Sequence, residues 1–346
     1  MKKIIFLLFV TAANFSLLSA QTTDVVTGIN DVVRILLDGN NLYYSDDNSV
    51  RRVDITESAP TPELVIDGLI SPAGLAVNGN DLYVAEFSAG RISVIDMSSE
   101  TPTREDFVTG LNTPNFLLLD GNFLYYSDNN DNVVARFDIT AATPTAELIA
   151  TSNVNFSPLG MSIQGNILYM AQGLSNRVSK VDVTSGIIQP EDVVTSVNRP
   201  IGIQVRDNIL YVSEFLDDKI SFKDLSTSGP LTIDLVTGLL GPTDIAINDT
   251  TIFIIEKDEN KISKIENVLG LAENVTENFS VYPNPTTNII NISNLTEDSP
   301  YSIYDVTGKV VAKGIVSPLE SIDVSALTSG NYMLQLNNTS IKFIKE

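Results

Sequence analysis

The chain has 346 residues without cysteine, tryptophan or histidine, and its formal charge of −22 is concentrated in residues 21–270, which carry −20, against +2 for residues 1–20 and −4 for residues 271–346. This composition excludes disulfides and a lipid-modified cysteine, removes the Ser-His-Asp triad together with the commonest general base, and sets up a field that repels phosphate backbones, so nucleic acid is not an expected partner. Cationic ligands, basic partners or plain solubility fit the acidic balance.

Residues 1–20 open with Lys2 and Lys3, continue in an apolar run over residues 4–10 and less strictly to Leu18, and end in the small pair Ser19-Ala20. This is the pattern of a secretory signal peptide, and it is excluded from the fold. No later stretch approaches the roughly 20 apolar residues needed to cross a bilayer as a helix, so a transmembrane protein is not expected.

From residue 42 one short motif returns five times. Leu42-Tyr43-Tyr44-Ser45-Asp46 is followed by copies that begin at Leu82, Leu124, Leu168, Leu210 and Ile252, at spacings of 40, 42, 44, 42 and 42 residues. Each copy reads apolar, aromatic, mostly apolar, small in five of the six, then an acid or its amide. The closing residues are Asp46, Glu86, Asp128, Gln172, Glu214 and Glu256. A period of this size, filled with short strand-like runs, predicts a β-propeller with four strands per blade. The second repeat shows the four runs most plainly, over residues 63–69, 73–77, 82–85 and 91–95. Asn78-Gly79-Asn80-Asp81 lies at a hairpin turn, where residues tolerant of positive φ are needed.

Naming these runs D, A, B and C in chain order, the first repeat opens with a D run at residues 24–28 and the sixth ends with a C run at residues 261–265. With A innermost and D outermost, the last blade lacks its outer strand and the N-terminal run has no blade of its own. Pairing the two closes a six-bladed ring and removes two open strand edges.

The B runs with their following turns, as in Leu42-Tyr43-Tyr44-Ser45-Asp46 leading to Val50-Arg51-Arg52-Val53-Asp54, resemble the YWTD repeats of lipoprotein-receptor propellers. The A runs Pro72-Ala73-Gly74-Leu75-Ala76-Val77 and Pro200-Ile201-Gly202-Ile203 are similar to NHL repeats and their gluconolactonase-like relatives. The resemblance covers residues 24 to about 267 and implies a six-bladed fold. It leaves function open, because the same scaffold carries receptors, binding platforms and lactonases.

After a polar connector the pattern changes to alternating strands and turns, enough for a small Ig-like β-sandwich of about 70 residues. Tyr282-Pro283-Asn284-Pro285, the hairpin around Gly308-Lys309, the run with Gly330 and Tyr332, and a last strand containing Lys342 follow in order. These motifs resemble the type A C-terminal sorting domain of the bacterial type IX secretion system. The resemblance implies a Bacteroidetes-type host and the type IX machinery as partner. It further implies passage through the periplasm and a final location outside the cell or on the outer-membrane surface, with cleavage or attachment there. The expected organisation is a signal peptide at 1–20, a propeller at 21–270, a linker at 271–278 and a sorting sandwich at 279–346.

Two sets of residues are candidates for chemistry. The acids that end the B runs lie on one rim. Either they accept backbone N–H bonds within the scaffold, or they form a cation or sugar site. Two residues beyond the proline position of each A run the repeats differ, carrying Arg34, Gly74, Phe116, Gly160, Gly202 and Asp244 near the channel mouth, where the three glycines are expected to leave open space. Arg34 and Asp244 either bridge the seam between the first and last blades or face a polar ligand with Phe116 as an apolar wall.

A gluconolactonase-like site would need several oxygen donors about a divalent cation such as calcium. Here one inner carboxylate, Asp244, stands with Asn30, Asp31, Asn112, Asn155 and Asn198 in the preceding loops. The segment Asp128-Asn129-Asn130-Asp131-Asn132 lacks the glycine and terminal glutamate of an EF-hand and reads as an elongated turn. The residues therefore suggest a non-catalytic binding protein for a small-molecule, carbohydrate or protein ligand, with no catalytic residue assigned and no required cofactor. A metal-dependent lactonase or hydrolase is the alternative.

Overall fold

The computed structural model describes residues 22–266 apart from 152–155, 187, 228, 230 and 231, and residues 280–346 apart from 294, 296, 297, 306–308, 319, 337 and 338. The signal-peptide residues, the linker, Asn155 and Gly308 lie outside the described residues.

The repeat region forms six four-stranded antiparallel sheets. The inner strands are Ile35–Asp38, Pro72–Asn78, Pro114–Asp120, Pro158–Gln164, Pro200–Arg206 and Pro242–Ile247. Each lies against the inner strands of its two neighbours, and Ile35–Asp38 against Pro242–Ile247 closes the cycle. The sheets do not coincide with the sequence repeats. The D run Glu63–Ile66 pairs with Ser49–Asp54 of the preceding repeat, so each repeat straddles two blades. The N-terminal strand Thr23–Thr27 supplies the outer strand of the last sheet, with Thr23 across from Lys264 and Val26 across from Ile262.

Each blade is sandwiched between two others, so its middle strands bury both faces and read as continuous apolar runs instead of alternating ones. Leu82, Val84 and Ala85 are fully buried in this way. The core is distributed between adjacent sheets. Tyr43 and Val50 of the first sheet pack with Leu75, Leu82 and Val84 of the second, and Tyr44 and Ile35 of the first pack with Phe253 and Ile255 of the last. Between inner and second strands the chain turns in two residues. Gly79 takes φ 61° there, a left-handed value that costs an L side chain energy but glycine nothing.

The C-terminal region folds as a separate all-β unit of two sheets. One contains Val281–Tyr282, Ile289–Ile292 and Ser321–Asp323, and the other Val310–Val316, Ser299–Tyr304, Gly330–Leu336 and Thr339–Lys345. Ile290, Ile303, Leu334, Leu336 and Phe343 fill the space between them.

Candidate functional site

At the rim one clamp recurs. In five of the six blades the carboxylate ending the second strand accepts the backbone N–H of the residue 16 positions earlier, in the loop that leads into the inner strand. The pairs are Asn30 to Asp46 at 2.9 Å, Ile70 to Glu86 at 2.8 Å, Asn112 to Asp128 at 3.0 Å, Asn198 to Glu214 at 2.9 Å and Leu240 to Glu256 at 3.3 Å. A serine from the third strand donates to the other oxygen of Glu86, Glu214 and Glu256. Arg51, Arg91, Lys219 and Lys261 add a cation to Asp46, Glu86, Glu214 and Glu256. Burial pushes the Glu86 carboxyl up, but hydrogen bonds from Arg91, Ser93 and the Ile70 N–H outweigh it and hold the group below its ordinary range. In the fourth blade Gln172 donates to Ser179, and Arg177 pairs with Asp192 instead. The loop turns are tied in as well, since Asn176 accepts the Arg199 N–H and Asp218 the Gly241 N–H.

The inner position breaks the repeat, with glycine in three blades and Arg34, Phe116 and Asp244 in the others. Arg34 is 2% exposed and Asp244 1% exposed. Arg34 donates through Nη1 to Val33 O at 3.0 Å and through Nη2 to Asn115 Oδ1 at 2.5 Å, and its guanidinium stands 5.2 Å from the centre of the Phe116 ring. It therefore crosses from the first blade to the third. Asp244 Oδ2 accepts the Ile35 N–H at 3.1 Å. Arg34 and Asp244 make no contact ion pair among the described residues; they act on one another through space. Desolvation raises the Asp244 carboxyl to about 6, and Arg34 and the N–H groups of Ile35 and Ile245 only partly counter it. Burial likewise lowers Arg34 from its ordinary value.

The local backbone explains why this position can vary. The pairing of inner and second strands is irregular here, with register shifts between Pro114 and Phe116 and between Pro200 and Ile203. The freed N–H groups of Arg34, Phe116 and Gly202 bond to Ser45, Ser127 and Ser213, the small residues of the repeated motif. The glycines do not leave the position open, contrary to the expectation from sequence. A Cβ on Gly74 would meet Leu117 N at 2.5 Å, one on Gly160 would meet Ile201 O at 2.4 Å, and one on Gly202 would meet Asp244 Oδ1 at 2.5 Å. They permit the close approach of neighbouring inner strands.

Space lies instead along the channel. A cavity of about 240 Å³ is lined by Arg34, Phe116 and Asp244 together with aliphatic residues such as Leu36, Val77 and Leu118. Arg34, Phe116 and Asp244 are thus brought together. Asn198 is not, because it sits on the rim, where its side chain donates to Asp217 at 2.8 Å; Asn112 is likewise directed to Asp131. Asn115 escaped the sequence reading, although its place between Pro114 and Phe116 was a signal.

The residues do not fit a divalent cation. Among the described residues no three carboxylates stand together as a metal-holding group. The one inner carboxylate faces a guanidinium, whose charge opposes a second cation.

In the C-terminal unit the sorting-type motif seats the last strand. Asn284 accepts the Ile344 N–H at 2.9 Å and donates to Lys342 O at 3.2 Å, between cis Pro283 and cis Pro285, with the Tyr282 side chain exposed. Tyr332 stacks on Phe343 and donates to Thr328 O at 2.8 Å. Gly330 begins its strand, and the Lys309 N–H closes the hairpin on Asp305 at 3.1 Å.

These features define an all-β chain, a six-bladed propeller followed by a small β-sandwich. Residues 280–346 match the secretion system C-terminal sorting domain, which marks the chain for export to the cell surface or extracellular space. No helix of the described residues is long and apolar enough to cross a membrane. Among curated proteins none matches the chain in sequence.

Solved structures share the fold. A candidate gluconolactonase is 14% identical with a TM-score of 0.58, covering 72% of this chain and 92% of its own. A luciferin-regenerating enzyme is 13% identical with a TM-score of 0.57, covering 71% and 95%. Virginiamycin B lyase from Staphylococcus aureus is 18% identical with a TM-score of 0.51, covering 68% and 80%. Identities this low establish shared architecture and leave activity to the site.

Proposed function

We propose that the protein is an exported, non-catalytic binding protein whose propeller takes its ligand at the channel mouth, carried out of a Bacteroidetes-type cell by its sorting domain and the type IX machinery. On this reading residues 1–20 are removed as a signal peptide, 21–270 form the binding domain, 271–278 a linker and 279–346 the sorting domain. The supporting observation is the broken symmetry at the inner position. Arg34, Phe116 and Asp244 stand together on a cavity, whereas the rim carboxylates are engaged by backbone and serine donors in blade after blade.

The alternative, a metal-dependent lactonase on the same face, has little support from a donor set of one carboxylate beside a guanidinium. The test is ligand binding by the secreted chain across small-acid, carbohydrate and peptide panels, with wild type compared against Val77→Trp, which fills the channel. Binding lost in the filled variant supports the reading. Lactone hydrolysis that requires a divalent cation and disappears in Asp244→Ala would replace it with the enzyme.

A further inference from the structure

The Arg34 end of the channel has hydrogen-bonding capacity that the protein leaves unused. Arg34 Nε is buried without a partner among the described residues, while Nη1 and Nη2 serve Val33 and Asn115. The Asn115 amide oxygen accepts from Arg34 and so holds the guanidinium in place. A buried donor without a partner costs roughly 1–3 kcal/mol, so an acceptor that enters and satisfies it recovers that cost. Asp244 does not fill the role, because it is held on the Ile35 N–H at 3.1 Å.

The remaining walls select the rest of the ligand. Leu36, Val77 and Leu118 offer apolar surface to a hydrocarbon body, beside the polar Ser162 and Gln204. A cation would meet the guanidinium. A multiply charged anion would meet Asp244 and the net −20 of the propeller region, leaving a monoanion as the best match. A planar carboxylate also suits the fork geometry of a guanidinium. The volume of about 240 Å³ exceeds the roughly 150 Å³ that admits benzene elsewhere.

We propose that this end of the channel binds a small organic monocarboxylate with an apolar body, Arg34 holding the carboxylate and the aliphatic walls holding the body. The proposal rests on the channel being the binding site and adds the chemical class of its ligand.

Calorimetric titration of the mature chain at pH 7.5 with benzoate, benzamide and benzylamine tests it. Benzoate is expected to bind saturably, benzamide at least about tenfold more weakly because it lacks the charge, and benzylamine not at all. Asp244→Asn removes the competing carboxylate and should tighten benzoate about threefold or more. The charge-neutral pair Arg34→Gln with Asp244→Asn should weaken it at least about tenfold, with folding checked by its melting curve. Should that pair fail to fold, the selectivity of the wild type and the sign of the Asp244→Asn effect still decide. Equal binding of benzamide, or preference for benzylamine, overturns the carboxylate while leaving the channel reading in place. If none of the three binds but a carbohydrate or peptide binds in a Val77→Trp-sensitive way, the carboxylate alone falls; if nothing binds the channel, both fall.

Discussion

Asp244 Oδ2 accepts the Ile35 N–H at 3.1 Å, which ties the sixth blade to the first by a buried carboxylate instead of a contact ion pair. The bond lies on the seam where the ring closes, two residues into the inner strand that begins at Pro242. Structure and charge therefore meet at one group, and its protonation is linked to the stability of the fold.

The first prediction follows from that linkage. The folded-state pKa of Asp244, about 6, lies above its ordinary 3.8, so the folded chain holds the proton more tightly between these values. Its contribution to stability is present below about pH 4 and is lost as pH rises through about 6, a change on the order of 2–3 kcal/mol. Asp244→Asn cannot titrate. Urea unfolding at pH 4.5 and pH 7.5 should show the variant gaining on the wild type at the higher pH, with other carboxylates cancelling in the difference.

Closure of the ring yields the second. Thr23–Thr27 covers the edge strand Lys261–Glu266, and Lys261 pairs with Asp24 at 3.2 Å. A chain starting at Asp31 should unfold at lower temperature and self-associate through the uncovered edge. Light scattering and a melting curve check this, and a monomer of unchanged stability would contradict it.

The rim clamp gives the third. Glu86 accepts from Arg91, Ser93 and the Ile70 N–H. Glu86→Ala should therefore cost about 2 kcal/mol or more by leaving those donors unpaired. Gln172→Ala, which loses a neutral amide on Ser179, should cost less, about 1 kcal/mol. Neither should change ligand binding, and denaturant unfolding alongside a binding titration separates the two effects.

Export gives the fourth. Removing residues 280–346, the matched sorting domain, should leave a folded propeller retained in the periplasm of a type IX-competent host. Asn284→Ala, which releases both of its bonds to the last strand, should lower the stability of the C-terminal unit by about 1–2 kcal/mol and reduce secretion. Immunoblots of periplasm and medium measure both.

Much of this architecture was readable from residues 42–46 and their copies, because a strand buried on both faces leaves a local signature of consecutive apolar residues. Turn chemistry did the same for the hairpins, as at Gly79. The unpaired N-terminal run even disclosed how the ring closes, since an outer strand without a blade has one place to go. Non-local proximity was not readable. Arg34 reaches Asn115 across 81 positions of sequence, skipping a blade, and nothing in the period announces that. The inner glycines misled for a related reason, because a missing side chain signals open space and close strand approach equally well. Asn198 stands in the loop before its inner strand, and its side chain is committed to Asp217 on the rim.

The most direct measurement concerns Arg34 itself. Its Nε–H resonance in ¹⁵N-labelled protein, assigned by its absence in Arg34→Lys, reports on a buried donor that lacks a partner among the described residues. A saturable shift of that resonance on titration with benzoate, and none with benzamide at the same concentrations, is the predicted result. A resonance that stays fixed while benzoate binds, or while no binding is detected at all, would contradict the account.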